Sequence, residues 1–389
     1  MKEYKDAVIV GAGAAGLLCG GLLAEQGLSV TLLEKNKRSG RKLSATGNGR
    51  CNFTNLHMEP DCYYGDRQWI ERVLEKCSPQ TLIREFERLG IYHREREGYV
   101  YPYTNQALTV VEAMNRFCRE QGAEVVLECT VTEILPLFPR KGFRVCTSQG
   151  EIQCRYVILA TGGKAASELG GDSSGYQLAK GLGHHVHKTF PGLTGLVCPG
   201  DWWKQVAGTR VQGRFSLWLD GKEYPGECGE IQIVKDGVSG IPVFQLCRVA
   251  ARAISEGQRV EGVIDFVPPM SRTETAEWVS RCGLEGLVPK KWVPILKKRA
   301  NLVDSLRAYR FPVQGTFGME RAQVTAGGVF TEEVVAETME SRIHPELFLL
   351  GELLDIDGKC GGYNLHFAFA GAMAAAREIA GSHRAMTKK

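Results

Sequence analysis

Hydrophobic and polar positions divide the chain into two textures. The first opens at Ala7-Val-Ile-Val10, an unbroken apolar run ending at a glycine, as a strand buried on both faces of a parallel sheet does. Gly11-Ala-Gly13-Ala14-Ala15-Gly16 follows, then an apolar stretch over 17–26 that reads as helix, a stop at Gly27, and a second strand over 29–34. This order predicts one β-α-β unit. The same texture returns at Tyr156-Val-Ile-Leu-Ala-Thr161-Gly162-Gly163, at Gln323-Val-Thr-Ala-Gly-Gly-Val329 and at Leu347-Phe-Leu-Leu-Gly351-Glu352, each a buried run ending in glycine. Between them the pattern predicts two amphipathic helices over 67–89, broken at Ser78-Pro79, where proline suits a first helical position. A short β stretch over 97–103, a helix over 107–121, a strand over 123–134 and a hairpin over 142–155 follow. A last helix of small residues runs over 369–380.

The second texture starts near Lys188. Short alternating runs such as Arg214-Phe-Ser-Leu-Trp-Leu219 and Glu230-Ile-Gln-Ile-Val234, separated by glycine turns, predict antiparallel sheet, and residues 271–309 read as helical and basic. The expected class is therefore α/β. A discontinuous Rossmann-like domain spans 1–187 and 322–389, and its insertion has a β-rich part over 188–270 and a small helical part over 271–321.

The first glycines carry chemistry. Gly11 permits the tight turn, Gly13 lets backbone approach a pyrophosphate, and Gly16 allows close helix–strand packing. The helix start supplies N–H groups and partial positive charge for phosphates, and Glu34 at the end of the second strand can accept from a ribose hydroxyl. A signal peptide or membrane span is not expected here: repeated glycines weaken an isolated helix, and Lys2, Glu3, Lys5 and Asp6 are mixed in charge. After Glu34, the loop over 39–55 places Arg41, Lys42 and Arg50 among glycines, a composition suited to anion nests beside a phosphate site. By analogy with known dinucleotide-binding folds, Val131 falls where a strand-end backbone could pair with an adenine ring, and Thr161 and Gly162 end a strand that faces the ligand crevice of a doubly wound sheet.

A chain of 389 residues with 24% charged residues and a net charge of +4 does not predict a nucleic-acid partner. Its 13 cysteines, with no C-x-x-C pair, suggest a reducing cytoplasm rather than a disulfide framework or zinc cluster.

The strings Gly-Asn48-Gly-Arg50-Cys51-Asn52-x-Thr-Asn55, Val324-Thr-Ala-Gly-Gly-Val329, Thr338-Met-Glu-Ser341 and Gly351-Glu352 through Gly361-Gly-Tyr-Asn364 together resemble FAD-dependent oxidoreductases of the BaiN/RdsA type, also called aminoacetone-oxidase-like. The resemblance covers nearly the whole chain and implies FAD in the first site. By it, Gly11, Gly13, Ala14, Ala15 and Gly16 hold the pyrophosphate. Glu34, with Lys35 beside it, meets the adenosine ribose. Arg41, Lys42, Cys51 and Asn52 form the loop under the flavin, Gly351 and Glu352 lie near ribitol and pyrophosphate, and Asp357, Gly362, Tyr363, Asn364 and Leu365 line the isoalloxazine. Asn48 stands where many relatives carry glycine.

The resemblance implies either reduction of a conjugated, steroid-like enone or amine oxidation. The leading expectation is a reductase of an activated C=C bond in an apolar small molecule. NAD(P)H would visit as a transient co-substrate, since no second G-x-G-x-x-G is present. An amine oxidase producing peroxide and a non-catalytic flavin- or RNA-binding protein are the alternatives, the latter from the basic residues near Lys297. No metal is expected at His184, His185 and His187, around which the sequence shows no acid or cysteine at ligand spacing. Cys51 and Cys360 read as packing residues rather than a redox pair, and Trp202 and Trp203 as core or rim. Tyr99, Tyr101 and Tyr103 alternate and so share a strand face, either lining the substrate side or buried on the sheet. Tyr363 is the one candidate catalytic side chain. Oligomeric state is left open.

Overall fold

The apolar run before Gly11 is a strand with both flanks paired. In the computed structural model, which describes residues 4–139 and 141–387, β1 (Tyr4–Val10) leads into α1 (Ala14–Glu25) and β2 (Val30–Leu33). Lys2 and Glu3 lie outside the described residues. The loop expected after Glu34 instead begins as helix, α2 (Arg41–Gly49), which kinks at Thr46, Gly47 and Asn48. Next come the short β3 (Thr54–Asn55) and β4 (Tyr63–Tyr64), then α3 (Arg67–Lys76) and α4 (Pro79–Arg88). Asp66 and Ser78 cap these two helices, their side chains accepting from Trp69 N–H and Thr81 N–H. β5 (His93–Arg96) and β6 (Tyr99–Pro102) form a hairpin, and α5 (Ala107–Glu120) returns the chain to the main sheet.

The single strand expected over 123–134 is two strands, β7 (Glu124–Val126) and β8 (Val131–Pro136). The turn between them holds Glu128 at a φ of 54°, and it reverses the chain from a parallel edge into a meander with β9 (Phe143–Thr147) and β10 (Gly150–Leu159). α6 (Ser174–Gly181) follows. After the inserted residues come β11 (Val324–Ala326), β12 (Leu347–Leu349), β13 (Asp357–Gly358) and α7 (Tyr363–Thr387). α7 starts six residues before the expected helix, because Gly361 and Gly362, at φ of 139° and 95°, turn the chain straight into it.

The main sheet runs β7-β2-β1-β10-β9-β8, with β12 beside the second half of β10. β7, β2, β1, β10 and β12 are parallel; β9 and β8 are antiparallel. Ten residues in β10 let its first half pair with β9 and its second with β12. α1 packs on β1 and β2, and α7 packs on α1, burying Leu17, Leu18 and Leu23 with Phe369, Ala372 and Ile379 in one core.

Residues 190–323 form the second unit. Long strands Arg210–Leu219 and Lys222–Val234 pair antiparallel within a seven-stranded sheet, and helix Ile241–Ser255 packs on it. The stretch read as helical is a set of short helices, and Tyr309 already belongs to strand Tyr309–Pro312. Trp292 and Leu306 share one apolar core with Phe215 and Ile264. Trp203 is fully buried there, with Trp202 stacked on it at 4.0 Å. Among the described residues no helix is long and apolar enough to cross a membrane.

Candidate functional site

The parallel strands end at one level. Val10 pairs with Leu33 and Leu159, Leu33 with Val126, and Leu159 with Leu349. Gly11, Glu34, Ala160 and Leu350 therefore leave the sheet side by side, at the end where open parallel sheets bind ligands. Gly11 has a φ of 103°, and a Cβ there would sit 2.5 Å from Ala160 O; a Cβ on Gly16 would run into Gly11 O. These two glycines are required by packing. Gly13 is different: among the described residues, its chain neighbours aside, no atom lies within 4 Å of a Cβ built on it. No side chain caps α1, so the N–H groups of its first turn, at Ala14, Ala15 and Gly16, are left to a ligand or solvent beside that open space.

Around this turn the charged candidates are held by protein partners. The Glu34 carboxylate accepts from Ala12 N–H at 3.0 Å, and from Asn36 N–H at 2.9 Å and Asn36 Nδ2 at 2.6 Å, which fixes it against the glycine turn. Lys35 pairs with Asp172. Arg41 donates to Asn36 Oδ1 at 2.8 Å and to Glu168 O at 2.5 Å. Lys42 pairs with Glu352 at 2.6 Å, and Glu352 also accepts from Thr325 N–H at 2.8 Å. Gly162, at a φ of 72°, again has no neighbour within 4 Å of an added Cβ, while Thr161 packs closely on Gly175 of α6. A Cβ on Gly351 would lie 3.4 Å from that of Ala368 and 3.8 Å from that of Ala15, so this loop meets the starts of α1 and α7. Val131 is buried at the start of β8.

The second cluster gathers at the start of α7. Asn364 imitates a strand neighbour: its Oδ1 accepts from Gly358 N–H and its Nδ2 donates to Gly358 O, both at 2.8 Å. Asp357 is buried, its backbone paired with Tyr64, and Leu365 is half-buried. Gly362 cannot carry a side chain, since a Cβ would lie 2.6 Å from Thr54 O and 2.9 Å from Asn52 Oδ1. That Asn52 oxygen is buried without a hydrogen-bond partner, an acceptor awaiting a donor. Cys51 is fully buried, and burial pushes its thiol up to about 12, so it is no thiolate at neutral pH. Cys360 is likewise raised by burial, and neither forms a disulfide.

Tyr363 shares a helix face with Phe367, both packed on Tyr63. Burial first, then the neighbouring Cys62 thiol, raise its phenol. His366, which the sequence reading missed, is fully buried, with Nδ1 2.8 Å from Thr54 Oγ1 and Nε2 2.9 Å from Cys77 O. Burial lowers it to about 4, so it is neutral, donating from Nε2 and accepting at Nδ1. A histidine one turn after Gly-Gly-Tyr-Asn was the only sequence signal.

The histidine trio does have an acid, far away in sequence. His184 and His185 place Nδ1 at 2.9 and 2.5 Å from the Glu333 carboxylate, and His184 Nε2 lies 2.9 Å from Ser341 Oγ. Although this Ser-His-Glu order mimics a hydrolase, Ser341 is buried and its Oγ already accepts from Ile343 and His344 N–H at 3.1 and 3.0 Å. It is a structural clasp. His187 stacks on Phe330 at 3.8 Å.

A parallel sheet with an uncapped glycine turn at one strand end, and a second glycine loop feeding the last helix, is the arrangement of a dinucleotide-binding protein. The chain belongs to the family described as HI0933-like protein Rossmann domain, whose model matches residues 5–378, and it is an FAD-dependent oxidoreductase. It is 35% identical to a 3-dehydro-bile acid delta(4,6)-reductase of Clostridium scindens, over 96% of this chain and 98% of that one. It is 28% identical to a ribosomal RNA dihydrouridine synthase of Haemophilus influenzae, over 97% and 99%. In fold it is similar to a 3-ketosteroid-delta4-(5alpha)-dehydrogenase of Rhodococcus jostii, with a TM-score of 0.59, 14% identity and 97% of both chains covered.

Proposed function

We propose that the chain is an FAD-dependent reductase that saturates a C=C bond conjugated to a carbonyl, with NAD(P)H as hydride donor and an apolar, steroid-like enone as substrate. The likeness over 96% of the chain to a relative named as a bile-acid reductase is the observation that carries this reading. The dihydrouridine synthase relatives support the same chemistry, since uridine's C5=C6 bond is also conjugated to a ring carbonyl.

The residues present fit FAD. The open space at Gly13 and Gly162 and the unpartnered Asn52 Oδ1 are places that a ligand fills. Gly11, Gly13, Ala14, Ala15 and Gly16 would bind the pyrophosphate, with Thr161, Gly162, Gly351 and Glu352 beside it. Glu34 and Lys35 would serve the ribose and Val131 the adenine; Arg41 and Lys42 brace these walls through Asn36 and Glu352. Cys51, Asn52, Asp357, Gly362, Tyr363, Asn364 and Leu365 would surround the flavin ring. Bound FAD supplies a ring that accepts hydride and returns it to carbon.

The protein's part is positioning and charge. With FAD bound, the start of α7 would offer N–H groups and roughly half a positive charge to the flavin. Neutral His366 fixes that helix start by joining Thr54 to Cys77. The proton that completes saturation would come from water or from the Tyr363 phenol, which burial raises. Incubating the purified protein without air with NAD(P)H and a 3-keto-4-ene steroid should yield a product gaining two hydrogens. Peroxide from simple amines in air, with no enone turnover, would replace this reading by the oxidase.

A further inference from the structure

The small sheet β3-β6-β5 carries a row of side chains that starts at the candidate site. Asn55 of β3, opposite Tyr99, donates to Gly361 O at 2.9 Å, and a Cβ on Gly361 would lie 3.0 Å from the Tyr99 ring. Alternate residues of a strand share a face, so half-buried Tyr101 and then Tyr103 continue the row, while Val100 and Pro102 are buried on the other side. Directly opposed residues of an antiparallel pair also share a face, which sets Arg94 beside Tyr101. Arg50, exposed, adds positive charge near Tyr101. Among the described residues neither Arg50 nor Arg94 forms an ion pair. Tyr103 N–H donates to Tyr92 O at 2.7 Å, and these two rings, 5.5 Å apart and 64% and 65% exposed, end the row.

We infer that this row is the docking track of the nicotinamide dinucleotide, with the nicotinamide at the Gly361 end, the pyrophosphate at Arg94 and Arg50, and the adenosine on Tyr103 and Tyr92. The inference rests on the reductase reading, which needs a nicotinamide to reach the flavin. Hydride transfer requires the two rings to touch. With no second G-x-G-x-x-G in the chain, the co-substrate must lie on a surface that runs out from the flavin site, as this row does. Its order and length suit the ligand. Alternate strand residues stand about 7 Å apart, which puts Tyr103 about 14 Å from Tyr99, on the scale of an extended dinucleotide. The two guanidiniums match the two phosphate charges in number, and their planar forks suit phosphate oxygens. The exposed rings offer faces on which a purine stacks. When the C4–H bond of the reduced nicotinamide breaks and its hydride passes to the flavin ring, the oxidised dinucleotide can leave along the open face.

The test is anaerobic stopped-flow reduction of the FAD-loaded full chain across a concentration series of NADH and of NADPH, which yields a dissociation constant for each. Whichever dinucleotide bleaches the flavin should bind about tenfold or more weakly to Arg94→Gln and roughly fivefold or more weakly to Tyr103→Ala, with Tyr103→Phe close to wild type. Reduced nicotinamide mononucleotide lacks the adenosine half, so its affinity should not follow Tyr103→Ala. Redox-inert ADP-ribose should compete with the dinucleotide, and less well in Arg94→Gln. The flavin content of each variant reports its folding. A flavin that neither dinucleotide reduces, affinities indifferent to both substitutions, or equal losses for mononucleotide and dinucleotide would overturn the proposal. Dithionite separates the two readings, because wild-type flavin reduced with it meets a 3-keto-4-ene steroid without any nicotinamide. If the steroid then restores the colour while nicotinamide affinity ignores the row, this proposal falls alone. If affinity follows the row and the steroid leaves the flavin bleached, the track stands and the reductase reading falls.

Discussion

Gly13 separates a residue kept for a ligand from one kept for packing. Its φ of −88° suits any L-residue, and beyond its chain neighbours no protein atom lies within 4 Å of an added Cβ. Gly13→Val should therefore fold with a thermal midpoint close to that of flavin-free wild type, yet purify colourless. Full flavin occupancy would show that the pyrophosphate lies elsewhere. Glu34 is more entangled than the sequence suggests, because the same carboxylate orders the turn through Ala12 and Asn36. Glu34→Gln turns one acceptor oxygen into a donor facing those N–H groups, so FAD affinity should fall tenfold or more, a charged hydrogen bond contributing about 1.5–3 kcal/mol. An unchanged dissociation constant in equilibrium dialysis would remove Glu34 from the site. Sequence showed both residues because glycine spacing and a strand-end acid are local signals. It could not show Glu168 or Asp172 holding the cations, since such pairs form only when distant loops meet. Asn48 sits between these cases: at a φ of 55° it occupies the left-handed path that glycine takes freely and asparagine tolerates better than most.

Elements were legible where one period ruled a whole segment. α3, α4 and α5 show strong amphipathic patterns and clear stops, and they fall close to the expected bounds. The pattern failed where sheet topology overrode it. β7 and β8 read as one apolar strand, yet one runs parallel to β2 and the other antiparallel to β9, so a turn must separate them. The start of α7 was missed because it is set by Gly361-Gly362 and by His366, a buried polar contact without periodicity. That histidine makes stability depend on pH. Its folded value, about 4, lies below the ordinary 6.5, so the unfolded chain binds more protons between the two. The contribution is present above pH 6.5 and lost as pH falls toward 4, on the order of 3 kcal/mol in all. His366→Gln keeps one donor and one acceptor but does not titrate. In urea melts wild type should lose stability relative to this variant between pH 6.5 and 4.5; parallel pH profiles would mean that His366 is not held neutral.

At the scale of the whole molecule, the α/β class and the inserted antiparallel sheet were readable because buried parallel runs and alternating ones look different in sequence. Substrate class was not readable, because one flavin serves several chemistries and hydride acceptors leave no fixed motif. The central claim is that this chain moves hydride from a nicotinamide through its FAD to a conjugated C=C bond. Its most direct measurement is an anaerobic titration of the purified yellow protein with NADH and NADPH, followed by addition of a conjugated enone. The account predicts that one nicotinamide bleaches the flavin stoichiometrically and that the enone restores the colour without oxygen. A flavin that neither nicotinamide bleaches, or that once reduced recolours only when air is admitted, would contradict it.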